Sequence, residues 1–339
     1  MTLPSPPPDP APIRDPAHIE RALAAFGLTL QQPPRLGAES VLNENYEVDT
    51  DAGPRFLRFV REDRTEQRVL LEQALTSHAA AAGIPVVRPT VIDGAPFIRL
   101  GGELVQLYPW VEGRHGGLTD ADAQAMGEMH ARLHSALVAF DHPDLRRRVS
   151  GVAWDTERSI AVLSRIDDLI RYYPSPPPES LRVQERLRLQ LALLESPEAR
   201  PAADFADLPQ QACHGDYHNR NVLFERDGGI VAVLDWEVAN LMSPAYEVVR
   251  ALCFSGYLEQ PFLDAYLAGY VSRGHLSGAD CERGIEMWWQ SRIHSHWALE
   301  RRFIHGDRRV ERFFDEEEAL LLRFADPTYR ARLADQLQS

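Results

Sequence analysis

The residues best suited to chemistry lie together in one short stretch. They are His214-Gly215-Asp216-Tyr217-His218-Asn219-Arg220-Asn221, followed after the apolar run Ile230–Leu234 by Asp235-Trp236-Glu237. An aspartate on a tight turn can take the proton of a hydroxyl as that hydroxyl attacks a phosphoryl group. Gly215 allows the sharp backbone turn. Asn221, five residues past Asp216, brings a neutral oxygen ligand from the same loop. Asp235, at the end of an apolar strand, adds a hard anionic ligand suited to magnesium on a nucleoside triphosphate. One base, one amide oxygen and one carboxylate are the minimum set for metal-assisted phosphoryl transfer. The bare His-Gly-Asp triplet can equally be a strand-ending turn, and the chain contains its own control. His305-Gly306-Asp307 repeats the triplet, but Arg312 stands where the asparagine would be and no strand follows, so that copy reads as a surface turn.

Three β segments carry these residues: QACHGD, NVLFE and GIVAVLDWE. Ahead of them, Ala17–Phe26 reads as a short helix stopped by Gly27, and VLNENYEV and RFLRFV read as strands turning at Asp49–Gly53. A helix is expected from about Arg64 to Ala82, with Asp63 and Glu66 at capping-box spacing and Gly83 as its stop. Strands are expected at Val86–Ile92, Pro96–Leu100 and Glu103–Tyr108, the last two turning at Gly101-Gly102. Beyond Trp110 the pattern becomes helical. Thr119–Phe140 carries the stripe Met126, Met129, Leu133 and Leu137, and helices follow at Trp154–Arg171, Glu179–Leu194 and from Pro244 onward. The fold class is therefore α+β: a Pro-rich tail over 1–16, a small lobe of strands with one helix over 17–109, and a larger, mainly helical lobe over 110–339.

The run HGDYHNRN…LDWE resembles the HGDxxxxN…D signature of the aminoglycoside phosphotransferase and choline kinase superfamily, relatives of the protein kinases. The likeness in element order and spacing covers roughly residues 36–300, and LNENYEV and LYPWVEG also resemble homoserine-kinase-type members. The resemblance implies a bilobal kinase-like fold using ATP and Mg2+, with residues 17–109 as the nucleotide-binding lobe, 110–339 as the catalytic and acceptor-binding lobe, Asp216 as catalytic base and Asn221 and Asp235 as metal ligands. His214, Gly215 and His218 would order the catalytic loop. Gln106 to Trp110, with Gln106, Leu107 and Tyr108 foremost, would form the hinge whose backbone groups hold adenine, while the side chains of Leu107, Tyr108 and Trp110 also read as core.

Kinases place a lysine on the third strand, paired with a helix glutamate, to hold the α- and β-phosphates. Arg58 falls in that place, and Glu72 stands where its partner is expected. Arginine binds phosphate through a bulkier fork than an ammonium. The plain alternatives are a surface strand arginine and an i,i+4 pair of Glu72 with Arg68. Glu237 supports the metal or only the turn, and Arg220 contacts phosphate or faces solvent. His294 is a candidate for the acceptor pocket within a helix whose Trp288, and Trp297 just beyond, read as core. His130 and His134 have metal-like i,i+4 spacing, but no third ligand is suggested, so they read as bordering the packed face of their helix. Glu247 stands where related proteins carry an aspartate that steadies the loop.

Composition sets the outer bounds. The 339 residues carry a net charge of −14, and all 36 basic residues are arginine. The absence of lysine excludes a Schiff-base or Walker-lysine mechanism, and the acidic balance argues against a nucleic-acid or anionic-membrane partner. Three scattered cysteines form no disulfide framework, and no apolar stretch approaches a bilayer span, which points to the cytoplasm. The expected partner is a small-molecule hydroxyl acceptor. Acidic clusters such as Asp315–Glu318 mildly favour a cationic one, with amino alcohols, amino acids and aminoglycosides all open. A protein serine or threonine acceptor and a nucleotide-binding pseudokinase are the rival readings.

Overall fold

The computed structural model describes residues 14–37, 43–146, 153–172, 180–274 and 276–338. The proline run Pro174–Pro178 and most of the expected tail lie outside them. Helix α1 (Pro16–Ala25) is capped by Asp15, whose side chain accepts from the Ala17 amide. Arg14, read from sequence as tail, reaches Glu44 at 2.6 Å and Glu103 at 2.7 Å.

Strands β1 (Arg35–Leu36), β2 (Glu44–Thr50) and β3 (Gly53–Phe59) precede helix α2 (Glu66–Ala81), and β4 (Ile98–Leu100) and β5 (Glu103–Pro109) follow it. The five strands form one antiparallel sheet in the order β1-β2-β3-β5-β4. Side chains alternate across a sheet. Tyr46, Val48, Leu57, Phe59, Val105 and Leu107 accordingly pack against Ile19 and Leu23 of α1. The opposite face carries the register row Asn45–Arg58–Gln106, flanked by Phe56 and Tyr108.

Two expectations fail here. The cap of α2 is Thr65, which accepts from the Arg68 amide, while Asp63 pairs with Arg61 at 2.8 Å instead. Val86–Ile92 is not a strand. Pro85 and Pro89 remove two ladder donors, leaving single bridges of Val86 to Val233 and Ile92 to Ala95. The first of these joins the lobes, because the Val233 amide donates to the Pro85 carbonyl at 2.7 Å.

The second lobe begins with β6 (Arg114–His115), α3 (Asp120–Leu137), α4 (Pro143–Arg146), α5 (Thr156–Tyr172) and α6 (Ser180–Leu194). Then come β7 (Gln211–Cys213), β8 (Val222–Phe224), β9 (Ile230–Val233) and β10 (Asn240–Met242). Helices α7 (Pro244–Ser255), α8 (Phe262–Val271), α9 (Gly278–Ile293), α10 (Trp297–Phe303), α11 (Phe314–Ala325) and α12 (Pro327–Gln338) complete it. The short strands pair as β10-β7 and β6-β8-β9, two small ribbons that frame the HGD segment. Leu71, Leu75 and Ala79 of α2 belong to the same core as α3 and α7, so the helix is anchored in the larger lobe.

Helices α3 and α8 touch backbone to backbone. A Cβ on Gly127 would lie 1.9 Å from the Tyr266 carbonyl oxygen, and one on Gly269 would lie 2.0 Å from that of Gln124. The close crossing sets two tyrosines of α8 beside the two histidines of α3. Trp288 is buried as expected, whereas Trp297 is 39% exposed. The second His-Gly-Asp is indeed a turn between helical segments, with Asp307 accepting from the Arg309 amide. Among the described residues no helix is long and apolar enough to cross a membrane.

Candidate active site

Strand β7 delivers His214 to a fully buried position. Its Nε2 donates to the Leu234 carbonyl at 2.7 Å, and its Nδ1 accepts from the Asp216 amide at 3.2 Å. The two segments of the motif are thus locked together through one ring. Gly215 has φ +85°, and a Cβ there would meet the Val238 carbonyl oxygen at 2.6 Å, so the turn excludes a side chain on both counts.

The Asp216 carboxylate has three neighbours. Arg250 of α7 ion-pairs with Oδ1, while Asn221 Nδ2 donates to Oδ2 at 3.0 Å and His218 Nε2 lies 3.4 Å from it. Burial would raise this carboxyl, but Arg250 and His218 hold it well below the usual range. Asn221 Nδ2 also donates to the Asp216 carbonyl at 2.8 Å, which commits its nitrogen and leaves Oδ1 as the free acceptor end. Asp235 sits at φ +56°, and its Oδ1 is buried without a hydrogen-bond partner. Burial pushes its carboxyl up to about 7 against the pull of Arg58, with Glu237, Asp216 and Glu72 adding to the rise.

Behind the loop lies a hub of which the sequence had shown the separate parts but not their union. Glu247 Oε1 accepts from the Gly215 amide, and Oε2 accepts from His134 Nε2 at 2.8 Å and His130 Nε2 at 3.2 Å. The far nitrogens of the two rings meet the hydroxyls of Tyr266 and Tyr270. One tautomer satisfies every partner: each tyrosine donates to Nδ1, and each Nε2–H donates to Glu247. Burial and the neighbouring His134 push His130 down to about 3, in keeping with a neutral His130 ring beside the Glu247 carboxylate. The third member of the His130–His134 set is therefore Glu247, and the three donor atoms lie within 4.8 Å of one another, close enough to hold a metal ion. All three already have hydrogen-bond partners, so the set works as a brace for the His214–Asp216 turn. The histidines are buried at its centre, not at the border of a packed face.

The first lobe departs further from expectation. Glu72 does not pair with Arg58, nor with Arg68. Arg64, just ahead of α2, ion-pairs with Glu72 and also reaches Glu237 at 2.7 Å. Asn43 Nδ2 donates to the same Glu237 oxygen at 2.7 Å. Burial would raise Glu237, but Arg64, Arg58 and the Asn43 amide hold it below its ordinary value. Glu237 is thus a charged strut between the lobes rather than a plain turn residue. Arg58 donates through Nε to Asn45 at 3.2 Å and lies over the Tyr108 ring at 5.4 Å. Among the described residues it forms no ion pair, and the acids that act on it are Asp235, Glu72 and Glu237. Its fork is left open toward the aspartate of the second motif segment.

Of the expected hinge residues, Gln106 and Tyr108 share the Arg58 face, but Leu107 points into the core under α1 and its carbonyl accepts from the Thr90 amide at 2.7 Å. His294 is also outside the site. It bonds Thr156 Oγ1 at 3.0 Å and the Gln290 carbonyl at 2.7 Å, and it stacks on Trp154. Arg220 turns outward to Glu316 at 3.5 Å. The residues missed from sequence are Arg64 and Arg250, together with the bonding of both histidines to Glu247. The i,i+4 histidine spacing and the place of Glu247 beside the loop had signalled parts of that hub.

A sheet lobe facing a helical lobe, with a buried-loop aspartate, an asparagine and an unsatisfied second aspartate between them, defines a kinase-like phosphotransferase. The sequence model of the phosphotransferase enzyme family matches residues 35–284. The chain belongs to that family. Among curated relatives it is 28% identical over 270 residues to an uncharacterized protein of Deinococcus radiodurans, covering 75% of this chain and 73% of that one. It is 30% identical to a homoserine kinase of Brucella anthropi, with 72% of each covered. A homoserine kinase of Cupriavidus pinatubonensis is 26% identical, and the match spans about half of its length, 54%. Among solved structures, a spectinomycin phosphotransferase with bound ADP and spectinomycin aligns with a TM-score of 0.66 at 15% identity over 97% of this chain and 99% of that one. A microcompartment-associated aminopropanol kinase aligns at 0.58 and 19%, over 94% and 100%. These structures share the fold with this chain.

Proposed function

We propose that the protein transfers the γ-phosphoryl group of ATP, with Mg2+, to a hydroxyl of a small molecule. The observation that carries this reading is the unsatisfied Asp235 Oδ1 set beside a loop in which Asn221 holds Asp216. A buried carboxylate oxygen among other acids, with no donor to meet it, is costly on its own and fits a divalent cation. Asp235 and the Oδ1 end of Asn221 would hold Mg2+, which would neutralise the triphosphate as charge shifts during transfer.

The remaining steps belong to the chain's own groups. Asp216, kept ionised by Arg250 and His218, orients the acceptor hydroxyl and takes its proton. The acceptor oxygen bonds to the γ-phosphorus as the bond to the bridging oxygen breaks, and ADP leaves with that electron pair. Arg58 holds the α- and β-phosphates in place of the missing lysine, with no glutamate partner. Gln106 and Tyr108 border the adenine side, while His214 and Gly215 keep the turn in shape. Aminoglycosides, amino alcohols and hydroxy amino acids are the acceptor classes that the named relatives suggest. Calorimetric titration tests the metal assignment: Asp235→Ala should lose Mg2+-dependent ATP binding, and unchanged affinity would refute it.

A further inference from the structure

The acidic segment Asp315–Glu318 offers no site for a cationic acceptor, because each of its acids is already matched. Arg182 pairs with Asp315 and with Glu318 at 2.5 Å, Arg186 with Glu317 at 2.9 Å, and Arg220 with Glu316 at 3.5 Å. On the side of the catalytic loop formed by α7 and α9 the unmatched charge is positive.

Two arginines from neighbouring helices lie against the Phe254 ring there. Arg250 of α7 has its guanidinium carbon 4.6 Å from the ring centroid, and Arg292 of α9 has its own at 5.8 Å. Arg292 also lies 4.3 Å over the Trp288 ring. Its side chain is only 9% exposed, its Nε has no hydrogen-bond partner, and the nearest carboxylate, Glu317, is 3.9 Å away. Both oxygens of that glutamate are taken at shorter range, Oε2 by Arg186 at 2.9 Å and Oε1 by Trp297 Nε1 at 2.6 Å. Arg250 spends one nitrogen on Asp216, and its Nε is likewise buried without a partner. Among the described residues Asp216 neutralises one guanidinium and nothing of full strength neutralises the second. Burial draws Arg292 below its ordinary pKa, with Arg250 opposing its charge and Glu317 only partly supporting it. A buried cation held mainly by aromatic faces is expensive unless an anion arrives to meet it.

We infer that the acceptor carries a carboxylate beside its reacting hydroxyl, and that Arg250 and Arg292 bind this carboxylate and so set the hydroxyl against Asp216. The substrate class is then a hydroxy acid, such as a hydroxylated amino acid, rather than a simple amino alcohol or an aminoglycoside. This inference rests on the proposed phosphotransferase activity and narrows it. Guanidinium suits the task because its planar fork meets both carboxylate oxygens.

Matched acceptors test it directly. L-homoserine and 3-aminopropan-1-ol differ only by the carboxylate, as do L-serine and ethanolamine. Each is assayed with Mg·ATP for wild type, Arg292→Gln and Arg292→Lys, with Mg·ATP binding as the check that each variant is folded. The expected wild-type preference for a carboxylate-bearing member is about 100-fold in kcat/KM. Arg292→Gln should cut that preference at least about tenfold through the acceptor KM, leaving the ATP KM unchanged, and Arg292→Lys should restore part of it. Equal use of both members of a pair, an unchanged preference in Arg292→Gln, or a best acceptor without a carboxylate in a panel extended to choline and spectinomycin would overturn the inference. So would a lack of response to any carboxylate. The phosphotransferase reading itself falls separately, if Mg·ATP is neither bound nor turned over.

Discussion

The HGD loop and the Arg58 face of the sheet are built on opposite plans. In the loop every group from His214 to Asn221 is tied to a neighbour, and the ties end in Glu247, whose two oxygens serve the Gly215 amide and two histidines. On the sheet Arg58 is held by one cross-strand amide and an aromatic face, and its fork stays open. The lobes meet through Arg64, which binds Glu72 and Glu237 at once. Rigid placement suits a residue that must meet a reacting oxygen within fractions of an ångström, whereas an open fork suits a ligand that brings its own charge.

Variants can break this contrast. Removing the brace should have the largest effect. Glu247→Gln puts an amide where two N–H donors and the Gly215 amide need acceptors, so stability should drop by about 3 kcal/mol and kcat should fall while the ATP KM holds. Denaturant melts with initial rates read both effects, and an unchanged kcat would detach the hub from the loop. Arg64→Met comes next. It leaves Glu72 and Glu237 buried without their shared cation, and a loss of about 3 kcal/mol is expected in the same melts, with less effect on turnover.

Arg58→Met should behave in the opposite way, with little change in stability and a roughly tenfold rise in the ATP KM, while Arg58→Lys stays within about threefold of wild type. The two arginines would be misassigned if their signatures were exchanged. The hub also predicts a pH response. His130 takes a proton at about 3 when folded, against 6.5 for the ordinary group, so the unfolded chain binds more protons between those values. Stability is therefore fully present above pH 6.5 and is lost as pH falls toward 3; Glu247, held low in the fold, acts in the same direction. Urea midpoints against pH should show this decline. The smallest effects belong to His294→Gln and Arg220→Ala, which should alter kcat less than about twofold, because neither side chain faces the loop.

What could be read from the sequence follows the same contrast. The loop was legible because its chemistry is contiguous: one turn glycine, one strand end and a fixed five-residue interval bring Asp216, Asn221 and Asp235 together. The bilobal α+β fold was legible from periodicity, as in the stripe of α3. The charge partners were not. Arg64 lies 173 residues from Glu237, and Glu247 lies 117 and 113 residues from His130 and His134. No local pattern encodes such pairings, and a glutamate expected to meet Arg58 could be taken by a nearer arginine. Leu107 was legible as core, and alternation along β5 does send its side chain there.

Single-turnover transfer from Mg·ATP, comparing wild type with Asp216→Asn, tests the central claim most directly, with water as the acceptor if no better one is found. The account predicts a loss of at least about 100-fold in the transfer rate with nucleotide affinity within about twofold. A variant that binds Mg·ATP normally and transfers at the wild-type rate would contradict it.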